Sequence, residues 1–494
     1  VRSAHELADA IAAGRLDGIR GIGAKTIEKM RTGLSALEKR TGRFRLFDAD
    51  QLVVPLLEHI RALPAVEHVE AAGSYRRRRE TVGDIDLLVL STRPAAVMKH
   101  FLAYPEVERV EASGRTRGTI VLRTGLHVDL RVLPRQSYGA ALHYFTGSKA
   151  HNIAIRRLGV ERGLRISEYG VFSVGRGKRA RPVRRGGEQE EDVFRAVGLP
   201  WIPPELREDR GEIGAAREGH LPRLITLDDV RGDLQMHSTW SDGNDSMEAM
   251  AAACVERGYA YMAITDHSPS ATIARGLDPR DITRQAAEVA KLRRQFPRLR
   301  ILHGLEIDIL RDGSLDLPDT TLQRLDLVVV SIHSAMGLDR KTMTERVIRA
   351  LSHKGVHILA HPTGRLINRR EPIDIDLEAV LVAAAANGVA VEINAQPDRL
   401  DLDDVQAQRA MQLGVLLVIN TDAHSAETLG FMKYGVDQAR RAWLEPKHVL
   451  NTYSTRALEA WLDERRIIRP ARRTAVPRRP GRKTPARARR VHRL

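Results

Sequence analysis

The sequence predicts a multidomain chain, an α+β core followed by an α/β distorted (β/α)7 barrel. Three observations predict it. Residues 233–424 hold seven short β-rich runs that alternate with helical stretches. A Pro- and charge-rich stretch at 199–230 breaks the composition upstream, with the main boundary near 225. Charge is also partitioned: the first 200 residues are basic, 201–468 acidic, and the end basic again, within a net +16. At 494 residues there is room for more than one core. No apolar run approaches the ~20 residues a membrane span needs. No secretory signal opens the sequence, and the single Cys254 cannot form an internal disulfide, which fits a reducing cytoplasm. A basic segment beside an acidic one suits a polyanion on the first and cations on the second, a solvated surface being the alternative.

In the amino half, GSYRRRRETVGDIDLLVL (Gly73 to Leu90) starts with a tight turn, continues with an arginine run and ends in a strand. Asp84 and Asp86 are two apart on that strand, so both carboxylates face one side and repel unless a cation sits between them. Asp129 in HVDLRVL supplies a third. Magnesium prefers oxygen ligands, and such a trio suits nucleotidyl transfer from a triphosphate. With HVDLRVLPRQSYGAALHYFTGSKAHN downstream, this half resembles the palm and thumb of family X DNA polymerases, a nucleotidyltransferase-type core. The resemblance implies catalytic Asp84, Asp86 and Asp129, the last nearest the primer hydroxyl, with Mg2+ or Mn2+ as the ions. It implies Gly73, Ser74 and Arg77 as the triphosphate-holding segment, with Arg76, Arg78 and Arg79 read as surface charge. Tyr144, Phe145 and Gly147 match the segment beside the sugar, where core packing is the plainer role for the two rings. Asn152 and Arg156 match residues that contact the new pair and the template. The expected partners are deoxynucleoside triphosphates and gapped or primer-template DNA.

LDGIRGIGAKTIEKM (Leu16 to Met30) resembles a helix-hairpin-helix, in which Gly21 and Gly23 let the backbone approach a DNA phosphate; a simple helix connection is the alternative.

In the carboxyl half the runs are DLQMHS, YMAITDH, RILHGLEIDI, LDLVVVSIHS, VHILAHP, VAVEINA and VLLVINTDAH. MEAMAAACVERG and LEAVLVAAAANG between them have helical spacing and terminal glycines. Chemistry in parallel barrels gathers where strands end, and there stand His237, Asp242, His267, Glu306, His333, His361, Asp422 and His424. Eight such groups exceed the needs of one ion, so two or three are expected, and imidazole with carboxylate suits Mn2+, Zn2+ or Fe2+. Phosphoester hydrolysis is the chemistry such a cluster supports. DLQMHSTWSDG, TDH, GLE, SIH, AHP and TDAH resemble the polymerase and histidinol phosphatase (PHP) family, and the eight residues match eight of its nine ligands. The ninth is Gln235 here, a carbonyl donor better suited to manganese than to zinc. Arg275 and Lys433 are weaker candidates for holding phosphate.

The expected boundaries are 1–48 for a partial fingers-like helix-hairpin-helix region, 49–135 palm, 136–210 thumb, 211–230 linker, 231–468 PHP barrel and 469–494 a disordered basic tail. The resemblance also implies a further amino-terminal lyase-like region, which the sequence from VRSAHELADAI onward is expected to lack, by truncation, a misplaced start or a natural short form. The expected function is short-gap filling in DNA repair, with the barrel as a metal-dependent 3′–5′ exonuclease, or with abasic-site or 3′-phosphatase action. The setting expected is bacterial, cytoplasmic and nucleoid-associated, the protein a monomer without membrane attachment. Two alternatives remain: a small-molecule phosphomonoesterase of histidinol phosphatase type with a non-catalytic DNA-binding amino half, and a DNA-binding module without turnover.

Overall fold

The computed structural model describes residues 42–174 and 181–465, and before 42 only positions 11, 16 and 27. Gly21, Gly23 and the basic tail therefore lie outside the described residues.

The first unit runs β1 (Phe44–Arg45), α1 (Leu46–Arg61), β2 (His68–Ala71), the one-turn α2 (Gly73–Arg76), β3 (Thr81–Val82), β4 (Asp84–Leu90), α3 (Pro94–Leu102), β5 (Val107–Ser113), β6 (Arg117–Leu122) and β7 (His127–Leu133). Five of these strands form a sheet in the order β2-β4-β7-β6-β5, with β4 and β7 parallel and the other pairs antiparallel. The two-residue period of β4 decides its faces. Ile85, Leu87 and Val89 join Val53, Leu56 and Ile60 of α1 and Phe101 of α3 in one core. Leu88 and Leu90 face the other way, against Tyr138 and Leu142. Asp84 and Asp86 share that second face at its uncovered end, where water and ligands can reach them.

The chain continues with α4 (Tyr138–Thr146), α5 (Lys149–Glu161), the antiparallel sheet of β8 (Leu164–Ser167), β9 (Gly170–Ser173) and β10 (Val183–Gly186), then α6 (Glu191–Ala196) and α7 (Glu212–Glu218). Its core gathers Ile155, Val171, Val193, Phe194 and Ile202. Ser148 caps α5 by accepting from His151 N at 3.3 Å. The stretch expected as a linker is not free. Glu212 of α7 is fully buried and bonds His151 Nδ1 at 2.7 Å, while Ile225 lies in the barrel core with its N–H on the Leu444 carbonyl at 2.9 Å. Its apolar side chains and buried acid find partners on both sides, which a solvated linker would leave unmet.

The barrel comprises β11 (Gly232–Met236), α8 (Met247–Glu256), β12 (Tyr261–Ile264), α9 (Pro279–Gln295), β13 (Arg300–Asp308), α10 (Asp319–Leu322), β14 (Leu327–Ser331), α11 (Arg340–Leu351), β15 (Ile358–Leu359), α12 (Leu377–Asn387), β16 (Ala390–Asn394), α13 (Asp404–Gln412), β17 (Leu417–Asn420) and α14 (Met432–Arg441), followed by α15 (Thr455–Glu464). Its seven strands are parallel and in sequence order, and they form a nearly closed barrel. Side chains and single bonds complete the closure between first and last strands. Asn451 donates to the Gly232 and Ile419 carbonyls at 2.8 and 2.7 Å, and His237 N–H to the Ala423 carbonyl at 2.8 Å. Among the described residues no helix is long and apolar enough to cross a membrane. The barrel is not strung beside the first unit: its Ile367, Leu400 and Tyr434 are members of the core built on α1 and β4.

Candidate active sites

The amino-half site is built where β4 and β7 lie side by side. Asp86 and Asp129 are direct partners across that parallel pair, and Asp84 lies opposite His127. Burial, then the charges of Asp84 and Asp129, push the Asp86 carboxyl up to about 6. Thr119 Oγ1 makes a short hydrogen bond to Asp129, whose other oxygen is 3.6 Å from Arg117. The turn entering α2 sits directly on this pair. Ala72 N–H donates to the Asp86 carbonyl at 2.7 Å, and Gly73, at φ +64°, leaves no room for more: a Cβ there would stand 3.1 Å from Asp86 Oδ2. Glycine supplies both the left-handed backbone and the close approach.

The arginine run does not behave as one patch. Arg77 donates to Glu208 at 3.0 Å and to the Thr146 carbonyl at 2.5 Å, and its Nη1 would lie 3.1 Å from a Cβ on Gly147. The turn and the Tyr144–Gly147 segment are thus tied together by Arg77, whose guanidinium is taken up by protein partners. Arg76 and Arg78, expected as surface charge, are instead mostly buried. Arg76 spans Glu70 (2.5 Å) and Glu190 (2.7 Å), and Arg78 bridges Asp50 (3.2 Å) and Asp437 (2.8 Å). Only Arg79 is exposed at 44%. These corrections share one cause: acids distant in sequence converge on the run. Tyr144 and Phe145 are half-buried with rings 5.1 Å apart, and Arg131 stacks on Phe145 at 4.4 Å. Asn152 is buried and donates to the Tyr144 carbonyl at 2.7 Å, bracing that segment, while Arg156 is exposed.

The carboxyl-half site occupies the ends of the barrel strands. Glu306 on β13 is its centre, 1% exposed. Its oxygens lie 3.4 Å from His237, 3.5 Å from His267, 3.4 Å from His333 and 2.9 Å from His361. Asp422 reaches His237 at 3.0 Å, and Asp242 lies 3.6 Å from His267 and 3.4 Å from His424. Three overlapping groups have ligand atoms within 4.8 Å of one another: His237, Asp242, His267 and His424; His267, Glu306 and His333; and His237, Glu306 and Asp422. Among the described residues no such group is formed by Asp84, Asp86 and Asp129. Burial works against charge on Asp242, but hydrogen bonds from His267 and His424 hold its carboxyl well below the usual range.

The donor set fits divalent ions by a second test. His237 Nδ1, His267 Nδ1, His361 Nδ1, Glu306 Oε2 and both amide atoms of Gln235 are buried without a hydrogen-bond partner in the protein. Buried polar atoms are rarely left so. The backbones of His361 (φ +27°) and Asp422 (φ +51°) lie in the left-handed region, strain of the kind that gathers at functional sites. Beneath the rim Glu392 accepts from His361 N–H at 2.6 Å and Asn420 at 2.9 Å, and burial pushes it up to about 8.

Two lining residues carry no motif. Asp308, two positions after Glu306 and so on the same face of β13, accepts from His333 N–H at 2.9 Å. Arg399 lines the pocket 3.9 Å from Asp422; its place in QPDRLD, just past the VEINA run, was the available signal. Arg275 is exposed on a neighbouring loop. Lys433 is a correction: it does not line this pocket but pairs with Asp50 at 3.2 Å and lies over the Tyr434 ring, at the seam between the halves.

The two sites define a class: a nucleotidyltransferase-like core joined to a phosphoesterase barrel, both kinds of enzyme being metal-dependent. The family model for the DNA polymerase beta thumb matches residues 141–208, and that for the PHP domain matches 233–396. Over 464 residues, 94% of this chain and 80% of the relative, the chain is 41% identical to the DNA polymerase/3′-5′ exonuclease PolX of Bacillus subtilis (strain 168). A probable phosphatase of Syntrophotalea carbinolica is 27% identical over 47% of this chain and 94% of its own length. A Leishmania infantum polymerase beta covers 41% of this chain and 88% of its own at 24% identity and a TM-score of 0.31, too loose a likeness to build on. The chain belongs to the family X DNA polymerases that carry a PHP exonuclease-type domain.

Proposed function

We propose that the two chemistries of this polymerase and exonuclease are divided between the two halves. Nucleotidyl transfer takes place at Asp84, Asp86 and Asp129, within a palm of residues 49–135 and beside a thumb of 136–210. Removal of 3′ nucleotides takes place on the rim of the barrel, 231–468. The observation that carries this reading is the pairing of Asp86 with Asp129 directly under the Gly73 turn, in a chain that also centres four histidines on Glu306.

In the palm, Thr119 holds Asp129 beside the place assigned to the primer hydroxyl. Gly73 and Ser74 offer backbone to the triphosphate, and Arg77 acts by joining that turn to the Tyr144–Gly147 segment beside the sugar. Mg2+ or Mn2+ fits the three carboxylates. On the barrel, His237, Asp242, His267, Glu306, His333, His361, Asp422 and His424, with Gln235, hold two or three divalent ions. Bound there, such ions activate water and stabilise charge on a phosphoester. Asp308 fixes the His333 backbone through its N–H, and Arg399 supplies a cation for the scissile phosphate. Gln235 favours manganese over zinc or iron because it offers oxygen in place of imidazole. The substrates are gapped or primer-template DNA and deoxynucleoside triphosphates.

The test is a pair of variants. Asp129→Ala abolishes primer extension and keeps the exonuclease; His424→Ala does the reverse. Loss of both activities from either single change would show that the sites are not separate.

A further inference from the structure

Helix α14 belongs to two cores at once. Met432, Val436 and Ala439 pack into the barrel core. Gly435 lies so close to the strands that a Cβ there would stand 2.4 Å from Ile419 and 2.8 Å from Ala395. The helix is therefore seated firmly on the barrel. Tyr434, Asp437 and Arg441, spaced three and four apart, share another face, and that face meets the amino half. Tyr434 belongs to the core of α1 and β4, its ring edge-on to Phe47 at 5.8 Å and its hydroxyl on Asp50 at 3.0 Å. Asp437 takes the Arg78 guanidinium at 2.8 Å. Arg441, 3% exposed, donates to the Arg77 backbone carbonyl and to Asp404, both at 2.7 Å, and to Glu208 at 3.1 Å.

These contacts fall on the segment that ends the Gly73 turn. Arg78 has φ +54°, a conformation that side-chain-bearing residues adopt rarely, so the turn needs partners outside itself to keep its shape. Two of those partners, Asp437 and Arg441, are barrel residues. The same segment touches Asp86 at one end through Gly73 and Gly147 at the other through Arg77.

We propose that Asp437 and Arg441 are positioning residues for nucleotidyl transfer: the barrel, through α14, holds the Gly73–Glu80 turn in its nucleotide-binding shape. This rests on the reading that Gly73 and Ser74 hold the triphosphate. The phosphoesterase half thereby completes the polymerase site without touching substrate there.

The experiment uses the whole chain, with gap filling measured against deoxynucleoside triphosphate concentration, exonuclease on the same preparations, and melting temperature as the check on folding. Asp437→Asn keeps the side-chain shape and removes its charge; Arg441→Met removes the donor to the Arg77 carbonyl. Each raises the nucleotide KM about tenfold while polymerase kcat and the exonuclease rate stay within about twofold. Arg441→Lys, which keeps a donor, restores most of the loss. Arg78→Gln combined with Asp437→Asn is no worse than Arg78→Gln alone, because the contact that Asp437→Asn breaks is already lost with the Arg78 guanidinium. An unchanged KM, or equal loss of extension and exonuclease, overturns the proposal. Gly73→Ala separates it from the reading beneath it. If Gly73→Ala leaves KM unchanged, the turn does not hold the triphosphate; if it raises KM while Asp437→Asn does not, the turn reading stands and the barrel's positioning role falls.

Discussion

Replacing Gln235 by methionine tests the carboxyl-half site through stability. Gln235 is fully buried on β11, and neither its amide oxygen nor its nitrogen has a partner in the protein. An unsatisfied buried polar group costs about 1–3 kcal/mol, and methionine fills a similar volume without that cost. In chelator, Gln235→Met is therefore expected to be more stable by about 1–3 kcal/mol, a melting shift of roughly 2–12 °C for a unit of the barrel's size. With manganese the advantage shrinks or reverses, since ion binding stabilises the native state by an amount that grows with the logarithm of ion concentration over Kd, and the variant has lost a donor. The assay is thermal melting of both proteins in EDTA and across a manganese titration. A variant stabilised equally with and without manganese would show that Gln235 is not a ligand; a variant less stable in EDTA would show that its amide is satisfied after all.

Three further outcomes follow from the same geometry. Glu306→Gln removes the carboxylate shared by four imidazoles, and with it one negative charge from the donor set. Metal retained after dialysis then drops by at least one ion per chain while gap filling persists, and unchanged metal content would refute the central place given to Glu306. Arg399→Gln raises the exonuclease KM about tenfold without altering metal content, if its cation meets the phosphate as argued; an effect on metal content alone would make it a support for Asp422. In the thumb, burial and then the Arg207 charge hold the fully buried His143 well below 6.5. The unfolded chain then binds more protons than the native one below about pH 6.5, so stability drops by up to about 1.4 kcal/mol for each pH unit below that point. Denaturation in EDTA at pH 7.0 and 5.5 checks it: His143→Phe, which keeps the ring against Phe194, flattens the slope. An identical slope in the variant would refute it.

The barrel was legible in the sequence because its information is local. Each β-rich run and the polar residue ending it are neighbours in the chain, so DLQMHS or ITDH announces both a strand and a strand-end ligand. The face shared by Asp84 and Asp86 follows from strand period alone. What could not be read was convergence over distance. Arg78 meets Asp437 across 359 positions, and nothing near either residue marks the pairing; Arg76 finds Glu190 in the same way, so a run of arginines passed for surface charge. Lys433 was offered to phosphate on charge alone, while its actual partner, Asp50, comes from a helix in the other half. Arg399 lies in a loop with no repeating pattern, and only closure of the barrel brings it beside Asp422. The expected linker packs because Glu212 and Ile225 have partners that its composition does not reveal.

The most direct test of the two-site account is one reaction on one substrate. The unaltered chain is incubated with gapped DNA carrying a labelled primer, with and without deoxynucleoside triphosphates, in magnesium or manganese. The account predicts primers lengthened to the gap when nucleotides are present and shortened from the 3′ end when they are withheld. No change in primer length under either condition, with phosphate released from a small monoester such as histidinol phosphate, would contradict it.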